Sequence, residues 1–336
     1  MRKIFLIIGL LLAVTIGNAQ EIMVQAAPIE NGDMFLISEG IYKVYQNGKW
    51  GICDKDSNEL TPPKYNSIDY EPREGFRKVI INNKKGFINS KGIEIIPVTY
   101  DYVSNFSSEG FVVVEIDKKY GILNTEGKII IPLQYDFVAN FREGLAAVCI
   151  DNKWGFIDIH NNIIIPTEYD EVVSFYQNIA PVKRNKKWGI IDKQGNEITP
   201  IIYSDITPSY SKEPMRVFFN GKIGFINTEG KEITPMKYDD ASAIFLGTAS
   251  VSVNKEWGFI NTEGKEIVPL IYDSVTYFKN GYAGVKKNGK WGYVNMKGKV
   301  IIPCKFDTVS SFEEGKAWVK KGDENFYINI KGKKIN

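Results

Sequence analysis

At 336 residues, 43% hydrophobic and 24% charged, the chain has the composition of a folded protein and not of a disordered one. A formal charge of +2 excludes nucleic-acid or anionic-membrane binding driven by bulk charge. Aromatic residues reach 13%, Ile and Val are abundant and helix-favouring stretches are scarce, which points to β-structure.

Arg2 and Lys3 precede an unbroken apolar and small-residue run from Ile4 to Ile16, and Gly17-Asn18-Ala19 offers small residues at a cleavage site. That run falls short of the roughly 20 residues that cross a bilayer. Residues 1–19 therefore read as a signal peptide cut after Ala19, leaving Gln20 first. No second long apolar run follows, so no membrane span is expected after cleavage. The expected location is periplasmic, outer-surface or secreted. Residues 20–39 hold Pro28 and Asn31-Gly32 and read as a leader or cap. The three cysteines, Cys53, Cys149 and Cys304, are odd in number and out of register with one another, so they read as small strand residues and not as a disulfide framework.

From residue 40 to 336 the chain repeats. Gly51, Gly86, Gly121, Gly155, Gly189, Gly224, Gly258 and Gly292 follow one another at 34 or 35 residues, and Phe326 keeps the phase in a ninth unit. The units are thus marked near 50, 85, 120, 154, 188, 223, 257, 291 and 325. The slot before the glycine holds Trp50, Trp154, Trp188, Trp257 and Trp291, with Lys85, Tyr120, Ile223 and Asn325 as departures. Three residues after the glycine stands Asp or Asn, as at Asp54 and Asn261, whose side chain caps a turn. A turn glycine follows in most units, Gly92 and Gly264 among them, and supplies positive φ.

A proline recurs at a fixed offset: Pro62, Pro97, Pro132, Pro166, Pro200, Pro235, Pro269 and Pro303. Because proline donates nothing to a ladder, it is expected to end or edge its strand. Three residues on comes Tyr, or Phe306 in the last case, usually followed by Asp. The connector that follows, as in Tyr135 to Gly144, is expected to seal strand ends with Tyr135, Val138 and Phe141. Asn47-Gly48, Asn220-Gly221 and Asn288-Gly289 are hairpin turns leading into the next Trp-Gly strand. The glycine after Trp marks either close approach of a neighbouring unit or a β-bulge. Residues 69–74 and 207–214 break the pattern.

The full signature Lys49-Trp50-Gly51, Lys153-Trp154-Gly155, Lys187-Trp188-Gly189 and Lys290-Trp291-Gly292, with Glu256-Trp257-Gly258 departing at the lysine, resembles the bacterial WG-repeat (KWG-repeat) family over residues 40–336. The resemblance implies an all-β repeat protein, often exported, and transfers no catalytic residue. The expected fold is all-β. It comprises about nine tandem units of three short antiparallel strands plus a connector, stacked as an elongated twisted solenoid-like array. A β-propeller is the alternative, although its blades usually have four strands and more than 40 residues.

No catalytic constellation emerges. His160, the one histidine, falls in a turn, and no second histidine or in-register cysteine supports Ser-His, Cys-His or zinc chemistry. No enzyme activity, cofactor or metal is expected. The aspartates Asp101, Asp136, Asp170, Asp239, Asp273 and Asp307 recur in every environment, as backbone-capping residues do and catalytic pairs do not. Lys49, Lys84, Lys119, Lys153, Lys187, Lys222 and Lys290 form a candidate binding ladder for an anionic polymer, or else a solvated hairpin edge. The resulting expectation is a monomeric, non-enzymatic scaffold for protein or cell-envelope partners. A glycan-binding module is the alternative, and a carboxylate glycoside hydrolase stands behind it.

Overall fold

The structure is a computed structural model that describes residues 4–5, 32–38, 40–69, 75–208 and 213–335. The expected signal peptide apart from Ile4–Phe5, most of the leader, and parts of the two irregular segments lie outside the described residues. The chain divides into two compact bodies, Met1–Ile163 and Ile164–Asn336. The described residues contain no helix and form nine sheets.

One unit in each body shows the pattern. In the first body, Tyr102–Val103, Phe111–Ile116, Lys119–Asn124 and Ile129–Tyr135 form a sheet in that order, all antiparallel. In the second, Asp240–Ala241, Thr248–Val253, Glu256–Asn261 and Glu266–Tyr272 repeat it. The structure adds a strand to the three expected ones: the start of the connector, directly after Tyr-Asp, pairs as a two-residue edge strand. The first sheet uses Met34–Ser38 in that place, with Ile4–Phe5 pairing alongside it in parallel.

The second strand ends at the Asp or Asn, whose side chain closes the next turn. Asn261 Oδ1 accepts the N–H groups of Glu263 and Lys265 at 3.0 and 2.9 Å, while Gly264 N–H reaches Asn261 O at 3.0 Å. Gly264 sits at φ +75°, as the sequence pattern requires.

The third strand decides between the two roles expected of proline, ending a strand or lying at an edge. Pro132 lies inside Ile129–Tyr135 and does not end it. Tyr120 pairs with Tyr135 and Ile122 with Ile131, so Gly121 faces Pro132, Leu133 and Gln134 in a wide bulge. The third strand is also the outer strand of its sheet, so the missing N–H costs no ladder bond. Pro132 and its counterparts are exposed, while the residue before each and the aromatic three residues after it are buried.

Cores form between consecutive sheets. In the first body, Ile122, Ile131 and Tyr135 of one sheet pack with Val138, Ala146 and Val148 of the next, and Phe141 of the connector closes the end. In the second, Ile223, Phe225 and Tyr238 meet Ala241, Val251 and Ile260. No single sheet buries a whole core, which is why the unit must recur.

A few charged groups break this apolar rule, Arg77 at 2% exposed and Lys43 among them. Lys43 is 5% exposed, with its ammonium 4.3 Å from the Trp50 ring. Burial brings its pKa down to about 8, with Asp69 opposing the shift and Arg77 adding to it. The unfolded chain keeps that proton to about pH 10.5. Between these values the unfolded state binds more protons, so stability rises with pH, by up to about 3 kcal/mol from this group. Below pH 8 both states are charged and the penalty is felt in full. Urea unfolding of Lys43→Met beside the parent at pH 7 and pH 9.5 should show the variant's relative stability falling at the higher pH. An unchanged difference rules this account out.

Candidate functional site

The lysine and aspartate rows meet in space. Lys84 pairs with Asp101 at 2.5 Å and Lys119 with Asp136 at 2.6 Å in the first body; Lys222 pairs with Asp239 and Lys290 with Asp307 in the second. The other carboxylate oxygen takes a backbone N–H from the hairpin turn of the following unit. Asp136 Oδ2 accepts from Asp151 at 2.8 Å, Asp239 Oδ2 from Asn254 at 2.6 Å and Asp307 Oδ2 from Gly322 at 2.7 Å. Each such aspartate therefore ties its own lysine to the next hairpin. The lysine beside Asp101, Asp136, Asp239 and Asp307, and then the turn N–H, hold these carboxyls below the usual carboxylate range.

Lys153 is also engaged. Among the described residues Lys49 and Lys187 form no ion pair, since Asn66 and Ser204 stand where Asp would be. The row is thus a set of hairpin staples, interrupted at Lys49, Lys187 and Glu256, and not a continuous strip of free ammonium groups.

The hairpins also include turns that the sequence pattern leaves unnoticed. Beyond the three Asn-Gly pairs, hairpins turn through Asn82-Asn83, Asp117-Lys118, Asp151-Asn152, Asn185-Lys186 and Asn254-Lys255, with every φ between 47° and 68°. Asn and Asp tolerate this region, and their presence at the first turn position was the available signal. The N–H of the first residue is held by the preceding aspartate in the Asp151 and Asn254 turns.

The recurrent aromatics divide. Tyr65, Tyr100, Tyr135, Tyr169, Tyr203, Tyr238, Tyr272 and Phe306 are buried, and burial pushes the Tyr100 and Tyr272 hydroxyls above the usual phenol range. Trp50 is buried too, whereas Trp154, Trp188, Trp257 and Trp291 are half-buried. An open hollow of about 500 Å³ lies beside Trp257, lined by Asp239, Asp240, Ser252, Asn254 and Lys255.

What varies is the exposed residue of the short edge strand, next after Tyr-Asp. It is Ser67, Tyr102, Phe137, Glu171, Asp205, Asp240, Ser274 and Thr308 in turn, exposed in every case but the half-buried Ser274. Sequence reasoning passed over this position because nothing there repeats.

His160 is exposed in its turn, where its N–H bonds Asp158 Oδ1 at 2.9 Å. Cys53, Cys149 and Cys304 are free thiols, and burial pushes the Cys149 and Cys304 thiols up. Among the described residues no group of three or more His, Cys, Asp or Glu is placed to hold a metal ion, and no helix is long and apolar enough to cross a membrane.

A family model described as "WG containing repeat" matches residues 50–84, 86–120, 120–154, 154–188, 188–213, 223–256, 257–291 and 291–324. No curated protein matches the chain. Among solved structures, a eukaryotic initiation factor is similar at 11% identity and TM-score 0.40, covering 88% of this chain and 94% of its own. Hsv2p of Kluyveromyces lactis is similar at 11% and 0.34, covering 67% and 90%. PorZ, a surface component of the type-IX secretion system of Porphyromonas gingivalis, is similar at 11% and 0.28, covering 89% and 50%. Likenesses this slight carry nothing about activity.

Proposed function

This chain belongs to the WG-containing-repeat family, and we propose that it is an exported, monomeric, non-enzymatic scaffold whose sheet edges bind a protein partner of the cell envelope. One observation carries the reading. The residues that recur are used up inside the scaffold, as core aromatics, bulge glycines and Lys–Asp staples, while the exposed edge residue differs from unit to unit. A repeat array with a constant frame and a variable surface row is built for recognition. Hydrolysis by paired carboxylates needs acid and base pKa values pushed apart. The stapled aspartates are instead all shifted the same way, each by its own lysine.

The test uses the full chain, expressed with its N-terminus and recovered from the cell exterior. N-terminal sequencing should begin at Gln20. Cross-linked partners are then compared between the parent and an Asp205→Lys/Asp240→Lys variant, which reverses two exposed edge charges. Loss of specific partners from the variant is the expected result. Identical partner sets, or an intracellular protein with Met1 intact, contradict the proposal.

A further inference from the structure

Two consecutive units in the first body depart from the rest at the edge position. Tyr102 and Phe137 stand where the other six carry Ser, Glu, Asp or Thr, and they are 44% and 42% exposed. The fold does not require an aromatic there, since six units do without one. Nor are the two rings isolated. Tyr102, Tyr120, Phe137 and Trp154 follow one another with ring centroids 6.4, 5.3 and 5.4 Å apart, tilted by 55°, 41° and 57°. Tyr120 and Trp154 occupy the Trp slot of their units and are half-buried. A ring exposed at the edge thus bridges each slot to the next, and the four form one continuous aromatic strip.

The polar groups along the strip select the ligand. Glu115 is the cross-strand partner of both Tyr102 and Tyr120, so its side chain shares their face of the sheet. One of its oxygens accepts the Lys118 N–H at 3.0 Å. The neighbouring lysines, Lys84 and Lys119, are neutralised by Asp101 and Asp136. The strip therefore offers apolar faces, a carboxylate acceptor and no uncommitted cation from those two lysines. That combination suits a ligand with C–H faces and many hydroxyl donors. A proline-rich peptide needs slots between aromatic walls. Here adjacent rings touch one another, and no slot lies between Tyr120, Phe137 and Trp154.

We infer that the Tyr102–Tyr120–Phe137–Trp154 strip is a binding platform for an uncharged polysaccharide, with successive sugar rings stacked on successive aromatics and hydroxyls donated to Glu115. This goes beyond the protein-partner reading and stands on the strip alone, so its failure leaves that reading untouched.

The test is affinity electrophoresis of the full chain in gels containing mixed-linkage β-glucan, xyloglucan or dextran, with alginate as the acidic probe and a proline-rich peptide titrated separately. The variants are Tyr102→Ser and Phe137→Ser, which install a residue that other units carry at this position and so keep the fold. Retardation in at least one neutral gel, none in alginate, and a tenfold or greater weakening in each variant are expected. Glu115→Gln should weaken retention less than either. The inference is overturned by no retardation in any neutral gel, by retardation that the serine variants retain, by retention in alginate alone, or by binding of the peptide instead.

Discussion

Replacing Gly264 by alanine should cost about 3 kcal/mol of stability, whereas the same change at Gly281 should cost about 1 kcal/mol. Both glycines lie in the left-handed region, at φ +75° and +84°, so both variants bear the conformational penalty of a Cβ there. They differ in their surroundings. A Cβ on Gly264 would meet Ile233 O at 2.6 Å and Thr234 Cγ2 at 2.7 Å, atoms of the preceding unit's third strand. A Cβ on Gly281 would meet nothing within 4 Å. The additional cost at Gly264 is that of forcing two stacked sheets apart. Urea denaturation of the two variants beside the parent measures it, and equal costs would show that the turn glycine serves its turn alone.

The second large effect is expected at Gly121, for a different reason. Its φ is not in the left-handed region, so alanine is conformationally acceptable there. The obstacle is backbone: a Cβ would lie 2.6 Å from Ile131 O and 3.0 Å from Leu133 N, across the bulge in its own sheet. Backbone atoms held in a ladder cannot yield as a side chain does, so Gly121→Ala should destabilise by about 3 kcal/mol. Gly284→Ala is the comparison, because its nearest neighbours are side-chain atoms, Cγ2 and Oγ1 of Thr276 and Cγ2 of Val309 at 3.2 Å, and no backbone. A cost of about 1 kcal/mol is expected there. If Gly121→Ala unfolds at the parent's urea midpoint, the bulge is more pliant than its geometry implies.

Together the two glycines resolve the choice left open by the sequence. The glycine after Trp is a bulge glycine and also a site of close approach, but the backbone it approaches belongs to its own sheet. The approach between units falls to the turn glycine, which the sequence pattern marks only for its φ. The two roles look alike in a linear pattern because any position that excludes Cβ is written Gly. Which atoms exclude the Cβ depends on strands that are tens of residues apart.

The same limit applies to the surface. A lysine before Trp and an aspartate after Tyr are each visible as a row, yet their pairing depends on a register separated by 17 residues, as in Lys119 and Asp136. Read separately, they suggest a cationic ladder and a row of carboxylates; paired, they staple hairpins. The aromatic strip was harder still to see. Tyr102 and Phe137 break the repeat, and a search for what recurs discards them.

The linear pattern was sufficient for the family, the β class, the unit length and the Asx-capped turns. Each of these follows from local chemistry: side-chain capping, the positive φ that glycine allows, and β-branched and aromatic composition. Three features needed the folded chain: the fourth strand, the contact that each glycine serves, and the side chains that meet at the surface. All three rest on contacts between residues far apart in sequence, and a two-residue edge strand has no periodicity of its own to read. It forms because the sheet beside it already holds an unpaired edge, and the residue it exposes is left free to differ from unit to unit.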